Sequence, residues 1–323
     1  MTTIATERLS TDRTIAKGLV HRVALEEVFL TDFRSVPDGG FLATARLPRS
    51  HAYYNDHTNH PATHDPLAVF ECVRQMLLCA LHLHHDAPAT MKSITATCGL
   101  DIADPLALVV DGYDLDLFGT VVTHKERDGV TTRVVHSVDV RLGDRLIGTV
   151  TVDTAQKDPE RYEALRMTYR DSRPPQSDAL IDTEPVSRVA PYLVGRCDSD
   201  NVVLLAPRVE QSALVAGLRV PVSNPGMFDH AHDHVPGPVM MEAARQAGTL
   251  LAGELYGHAS SKTVLTGLTA TYARFAELDS PITVTAQAGA AMTDPITVRF
   301  AQGGEIAADM TITLGSTVSR RGE

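Results

Sequence analysis

Apolar residues crowd positions 66–84, where Leu67, Val69, Phe70, Val73, Met76, Leu77, Leu78, Leu81 and Leu83 leave almost no polar face. A helix apolar nearly all round is buried rather than laid on a surface. Asp65-Pro66 opens it, and proline suits a first turn whose N–H groups have no intrahelical partner. A second helix begins at Pro236-Gly237-Pro238 and stops near Gly257. Elsewhere the pattern turns to short extended runs. Residues 41–47 and 213–220 each lead into a proline and then a polar, histidine-rich loop. Runs at 117–124, 131–140 and 145–152 follow the first helix, with Asp128-Gly129 and Gly143-Asp144 as hairpin turns. Runs at 282–288, 296–300 and 306–314 follow the second, with Gly303-Gly304 turning the last pair. Each half therefore reads as one buried helix and an antiparallel set of strands, an α+β class.

The halves are copies. Arg46-Leu47-Pro48-Arg49-Ser50 with Asp56-His57 recurs 173 residues later as Arg219-Val220-Pro221-Val222-Ser223 with Asp229-His230. Glu71-Cys72-Val73-Arg74-Gln75 recurs at an offset of 171 as Glu242-Ala243-Ala244-Arg245-Gln246. A two-residue slip in the intervening loop reconciles the registers. The expected organisation is a domain at 15–159, a linker at 160–188 carrying Arg173-Pro174-Pro175, and a second domain at 189–323.

The repeated triplets are the candidate chemistry. Glu71, Arg74 and Gln75 fall at i, i+3 and i+4, on one helix face, as do Glu242, Arg245 and Gln246. Charged side chains are rarely buried unless paired, so the first set reads equally as a structural ion pair. The second set follows Asp233-His234-Val235-Pro236-Gly237, where a helix start offers free N–H groups and a positive end. A carbonyl held there would be polarised, and the Glu242 carboxylate would move a proton. Histidines 57, 60 and 64, and 230, 232 and 234, sit at irregular loop spacings without a metal-ligand pattern. The group His82, His84 and His85 reads as a complement to the first helix dipole. GxSxG, P-loop and dinucleotide glycine patterns are absent, which sets aside serine hydrolase, ATP and NAD chemistry.

Charge and composition narrow the class. Twenty-nine Lys plus Arg against forty Asp plus Glu give a net charge of −11, the wrong sign for a nucleic-acid protein. Arg161, Arg166, Arg170 and Arg173 are the one basic row, read as a docking patch for an acidic carrier or as a solvated linker face. No signal peptide is expected at the N-terminus, and the apolar run near 76–83 is too short to span a bilayer. Four cysteines without disulfide spacing suit a reduced, cytoplasmic setting.

Val20-His21 through Glu27-Val28-Phe29-Leu30-Thr31-Asp32, then Asn224-Pro225, Phe228-Asp229-His230 and the stretch from Asp233 through Ala247 together resemble the A-factor biosynthesis (AfsA) family. The resemblance spans both halves and implies a tandem (double) hotdog, each unit a central helix wrapped by an antiparallel sheet. It implies an acyltransferase that joins a β-ketoacyl thioester, on acyl carrier protein or coenzyme A, to dihydroxyacetone phosphate. The product leads to γ-butyrolactone, butenolide or furan signals. Glu242, Arg245 and Glu71 are the catalytic residues it implies; Gly237, His234, Asp233, His230, Gln246 and Arg74 are the residues expected beside them around the substrate. Arg245 would hold the phosphate or keep Glu242 ionised. No cofactor or metal is expected, since phosphopantetheine arrives with the substrate. The rivals are a hotdog thioesterase or dehydratase and a non-catalytic acyl-binding module. In the dehydratase pattern the catalytic histidine stands eight residues before the proline, where this chain has Phe228.

Overall fold

The computed structural model describes residues 9–37, 39–109, 112–182 and 187–317. The first half holds β1 (Leu30–Ser35), β2 (Phe41–Arg46), α1 (Pro66–Leu83), β3 (Lys92–Asp101), β4 (Asp114–Arg127), β5 (Val130–Leu142), β6 (Arg145–Lys157) and a short α2 (Pro159–Arg166). The second half holds β7 (Leu204–Glu210), β8 (Ala213–Leu218), α3 (Gly237–Tyr256), β9 (Thr263–Tyr272), β10 (Ile282–Gln287), β11 (Ile296–Gln302) and β12 (Glu305–Ser316). Among the described residues the twelve strands make one sheet, ordered β1-β2-β4-β5-β6-β3-β9-β12-β11-β10-β8-β7.

That order is the same from either end when β7–β12 replace β1–β6. At its middle, β3 and β9 run antiparallel with Cys98 opposite Ala270 and Gly99 opposite Thr269. At an offset of 171, residue 269 is the copy of 98 and 270 the copy of 99. Each central strand thus meets its own copy across a pseudo-two-fold axis, as in a symmetric dimer, but within one chain. The two long helices, α1 and α3, lie against this sheet. Fifteen of the eighteen residues of α1 are buried.

Local chemistry sets the element ends. The side chain of Asp65 caps α1 by accepting from Leu67 N–H, with Pro66 in the first turn. α3 starts at Pro236 without any side-chain cap. It ends at Gly257 in the left-handed region (φ 63°), whose N–H reaches back to the last carbonyls. Asp128 and Gly129 both take positive φ in the β4–β5 turn, as a tight two-residue hairpin requires.

Several expectations need correction. β1, β3, β7 and β9 were not visible as strands in the sequence pattern; β3 and β9 are rich in Thr, Ser and Gly, so their alternation is blurred. α1 is long and apolar enough by composition alone to cross a membrane, and it is buried inside the protein instead. His85 does not act as a cation at the end of α1. Burial and the neighbouring His84 and His124 push its pKa down to about 4, and it shares a hydrogen bond with His136 at 3.0 Å. The basic row of the linker is a solvated face only in part: Arg161 and Arg173 are 60% and 81% exposed, whereas Arg166 is 3% exposed and bound to Asp233 and Glu277. Arg170 pairs with Glu277 and Asp279, Arg161 with Asp158, and Arg173 with Glu163. Residues 1–8, 183–186 and 318–323 lie outside the described residues, so the N-terminal leader reading and parts of the linker and second-domain bounds fall there.

Candidate functional site

Each helix glutamate is buried, and each gathers the same kinds of donor. Glu242 Oε1 accepts from Gln246 Nε2 at 2.5 Å and from Arg196 Nε at 2.9 Å. Its Oε2 accepts from the Tyr53 hydroxyl at 3.0 Å and from Arg245, with Arg196 Nη2 at 2.8 Å. Glu71 Oε1 accepts from Arg22 at 2.5 Å, Gln75 at 2.8 Å and Arg74 Nη2 at 3.0 Å, and its Oε2 from Arg74 Nε at 2.7 Å. The predicted one-face triplets are real in both helices.

The glutamines tie each cluster to the main chain. Gln75 donates to Glu27 O and accepts from Phe29 N–H; Gln246 donates to Asn201 O and accepts from Val203 N–H. Those backbone partners stand 174 residues apart, as do Arg22 and Arg196. Neither arginine was recognised in the sequence. Their signal was Val20-His21-Arg22 against Val194-Gly195-Arg196, where each arginine follows a left-handed residue (His21 φ 52°, Gly195 φ 76°).

The loops cross between halves. Asp56 of the first half accepts from Cys197 and Asp198 N–H, and Asp229 of the second from Val23 and Ala24 N–H. Consequently the first-half loop, with Tyr53 and the start of α1, covers Glu242. The second-half loop that runs into α3 covers Glu71. His230 and His232 both feel the positive charges of Arg22 and Arg74. The candidate residues therefore do not form one site. Glu242, Arg245 and Gln246 stand with Tyr53, Asp65 and Arg196, whereas Glu71 and Arg74 stand with Arg22, Asp229 and His230. Asp233 and His234 pair with each other at 2.5 Å, and Asp233 is also held by Tyr162 and Arg166. Gly237 packs against Tyr272, where an added Cβ would meet the hydroxyl at 2.7 Å. Phe228 is buried, its ring 5.8 Å from His232 and edge-on.

The two clusters differ in what closes them. Arg245 Nη1 donates to Asp65 at 2.6 Å while its Nη2 donates to Glu242, so the guanidinium is clamped between carboxylates. The repeat places Pro236 where Asp65 stands and Gly226 where Tyr53 stands. Arg74 has only Glu71 as a hydrogen-bond partner among the described residues, and its side chain is 31% exposed against 13% for Arg245. Burial raises the Glu71 pKa, but Arg22 and Arg74 more than offset it and hold the carboxyl at about 2. Glu242 is likewise held below its usual range, burial being overcome by Arg196 and Arg245. A cavity of about 30 Å³ beside Arg245, lined by His57, Asn59, Asp65 and Thr249, has room for about one water. A wider surface hollow of about 550 Å³ at Asp116, Phe118, Asp139 and Arg141 shares no residue with either cluster. Among the described residues, no group of three His, Cys, Asp or Glu could hold a metal ion.

Fold and site together define a tandem hotdog protein with two pseudo-equivalent glutamate–arginine clusters, each covered by the other half. Its backbone is similar to the 12:0-ACP thioesterase from Umbellularia californica, with a TM-score of 0.52 at 10% identity over 88% of this chain and 100% of that one. The sequence matches the A-factor biosynthesis hotdog domain over residues 4–156 and 178–318, and the chain belongs to that family. Proteins named 2-oxo-3-(phosphooxy)propyl 3-oxoalkanoate synthase are among its relatives. The Streptomyces coelicolor protein is 30% identical over 84% of this chain and 81% of its own. The Streptomyces virginiae protein is 30% identical over 85% and 87%.

Proposed function

We propose that this protein is an acyltransferase that joins a 3-oxoacyl group, carried as a thioester, to a hydroxyl of dihydroxyacetone phosphate. The relatives' name describes the ester such a transfer would make. The observation that carries the reading is the contrast between Arg74 and Arg245. A phosphate needs a guanidinium with donors to spare, because its planar fork matches two phosphate oxygens. Arg74 Nη1 makes no hydrogen bond among the described residues and the side chain reaches solvent, whereas Arg245 is closed in by Asp65.

On this reading the reaction takes place over Glu71 and Arg74, where the Arg74 side chain reaches solvent. Arg74 takes the triose phosphate, Glu71 holds Arg22 and Arg74 in place, and the uncapped start of α3 at Gly237 polarises the thioester carbonyl. Glu242, expected from sequence to move the proton, already accepts from Tyr53, Arg196, Arg245 and Gln246. Glu242, Arg245 and Gln246 are assigned to bracing the second half. The pantetheine arm of the carrier is brought by the substrate, so the chain itself needs no cofactor. Arg166 and Arg170 are spent on internal pairs and are not assigned to carrier binding. Four free thiols suit a reducing cytoplasm.

Mass spectrometry of the product from a 3-oxoacyl thioester, with and without dihydroxyacetone phosphate, tests the proposal. The expected result is the phosphorylated ester only when the triose is present. Free 3-oxo acid at the same rate in both would instead make the protein a thioesterase, and no turnover would make it a binding module.

A further inference from the structure

Glu71 accepts four hydrogen bonds from two arginines and a glutamine, which leaves the proposed site without a base among the helix residues. The second-half loop supplies one. His230 Nδ1 lies 3.2 Å from Asp229 Oδ2. Asp229 is otherwise an acceptor of two main-chain N–H groups, Val23 at 2.8 Å and Ala24 at 3.0 Å, and stands 4.0 Å from Arg22. An ionised carboxylate accepts only, so His230 donates through Nδ1 and keeps its Nε2 lone pair free. The side chain of His230 is 34% exposed while that of Asp229 is fully covered. A covered carboxylate orienting a half-open imidazole is the arrangement of a general base.

The first-half copy lacks it. Asp56 spends its carboxylate on Cys197 and Asp198 N–H and on Asn201, and Nδ1 of His57 is buried without a hydrogen-bond partner. A second Asp–His pair, Asp233 and His234, is committed elsewhere. Its carboxylate also holds Tyr162 and Arg166, and its imidazole packs edge-on against Phe275 at 5.0 Å. The groups around His230 are Arg22 and Arg74 from the first half, His21 from the turn before Arg22, and Asp229 and His232 in its own loop. Burial, reinforced by Arg22 and Arg74, keeps the His230 ring below its ordinary pKa despite Asp229, so it is neutral and basic at neutral pH.

We infer that His230, oriented by Asp229, is the general base that activates the triose hydroxyl; this rests on the acyl-transfer reading. Nε2 takes the hydroxyl proton as the oxygen attacks the thioester carbonyl, forming the C–O bond and a tetrahedral oxyanion. The oxyanion collapses, the C–S bond breaks, and the imidazolium returns its proton to the leaving thiolate. One thioester and one alcohol become one ester and one thiol, with no other reactant. His230 is a catalytic residue in this scheme and Asp229 a positioning residue.

The test measures ester formation by the full chain and by its His230→Asn, His234→Asn and His57→Asn variants, with melting temperatures alongside. For His230→Asn the expected result is a loss in kcat of about 10²-fold or more with KM for the triose phosphate within a few-fold. Added imidazole should restore part of that activity, which a merely structural histidine would not allow. His57→Asn should keep kcat within a few-fold of the parent. Parent-like turnover by a folded His230→Asn overturns the assignment, as does a larger loss in His234→Asn. Should His230→Asn fold poorly, His230→Gln with imidazole rescue decides, and no rescue in a folded variant also overturns it. Absence of ester from the parent overturns the acyl-transfer reading and the base together.

Discussion

Around Glu242, the carboxylates of Glu242 and Asp65 close on the guanidiniums of Arg196 and Arg245, with the Tyr53 hydroxyl sealing the remaining side. Around Glu71 the same two arginine positions, Arg22 and Arg74, face one helix carboxylate, and Arg74 reaches solvent. The order of strands and long helices is the same in both halves. The exchange of Asp65 for Pro236 removes a negative charge that would compete with an anionic substrate, and it leaves the start of α3 uncapped. The exchange of Tyr53 for Gly226 removes a donor to the carboxylate, while the buried Tyr54 stands beside Glu71 and Arg22 instead. One cluster thus turns its charges inward, while the other leaves an arginine partly exposed beside an uncapped helix start.

The sharpest way to break this comparison is to remove each carboxylate's charge. Glu242→Gln leaves Arg196, which is 1% exposed, and Arg245 short of a partner. A broken buried pair typically costs 3–5 kcal/mol, so urea unfolding should show a loss of about 4–5 kcal/mol. Glu71→Gln should cost less, about 2–3 kcal/mol, because Arg74 can turn to water. A larger loss for Glu71→Gln would mean that the open cluster is the structural one.

Acid should strip the same contribution from Glu71. Its folded pKa of about 2 lies below the ordinary carboxylate value of 4.5. The stabilisation is therefore complete above pH 4.5 and is lost as pH falls toward 2, where the folded form must also take up the proton. Unfolding midpoints for the parent and for Glu71→Gln should converge over that window and stay apart above it.

The arginines should divide binding from bracing. Arg74→Lys should raise KM for dihydroxyacetone phosphate about tenfold and shrink the preference over the unphosphorylated triose, since lysine lacks the planar fork. Arg245→Lys should leave that preference unchanged while lowering the melting temperature. A loss of preference in Arg245→Lys alone would move the phosphate to the closed cluster. Pro236→Asp tests the same point by addition: it recreates in the open cluster the carboxylate that Asp65 supplies in the closed one. Triose phosphate affinity should fall several-fold while the melting temperature holds or rises, because aspartate also caps α3. The smallest effect is expected from Tyr53→Phe, which removes one of the donors to Glu242. About 1 kcal/mol of stability should go, with kcat unchanged.

The sequence disclosed a good part of this. The apolar run of α1, the punctuation at Asp65-Pro66 and Gly257, and the Asp-Gly and Gly-Gly turns depend on local rules, so their elements formed where the pattern placed them. The repeat of Glu, Arg and Gln at i, i+3 and i+4 likewise put each triplet on one face, because helix geometry alone decides that. Four strands escaped, since Thr-rich central strands such as β3 and β9 draw their order from pairing with each other rather than from their own alternation. Which loop covers which helix was also hidden. Local pattern tied Asp233, His234 and Gly237 to Glu242, their neighbour in sequence. The pseudo-two-fold packing sends each loop across to the other half, so His230 stands near Arg74, while Tyr53 and Asp65 of the first half close on Glu242 and Arg245 of the second. Spacing along a chain decides what shares a helix face; only the pairing of β3 with β9, and the exchange of loops it brings, decided which charges meet.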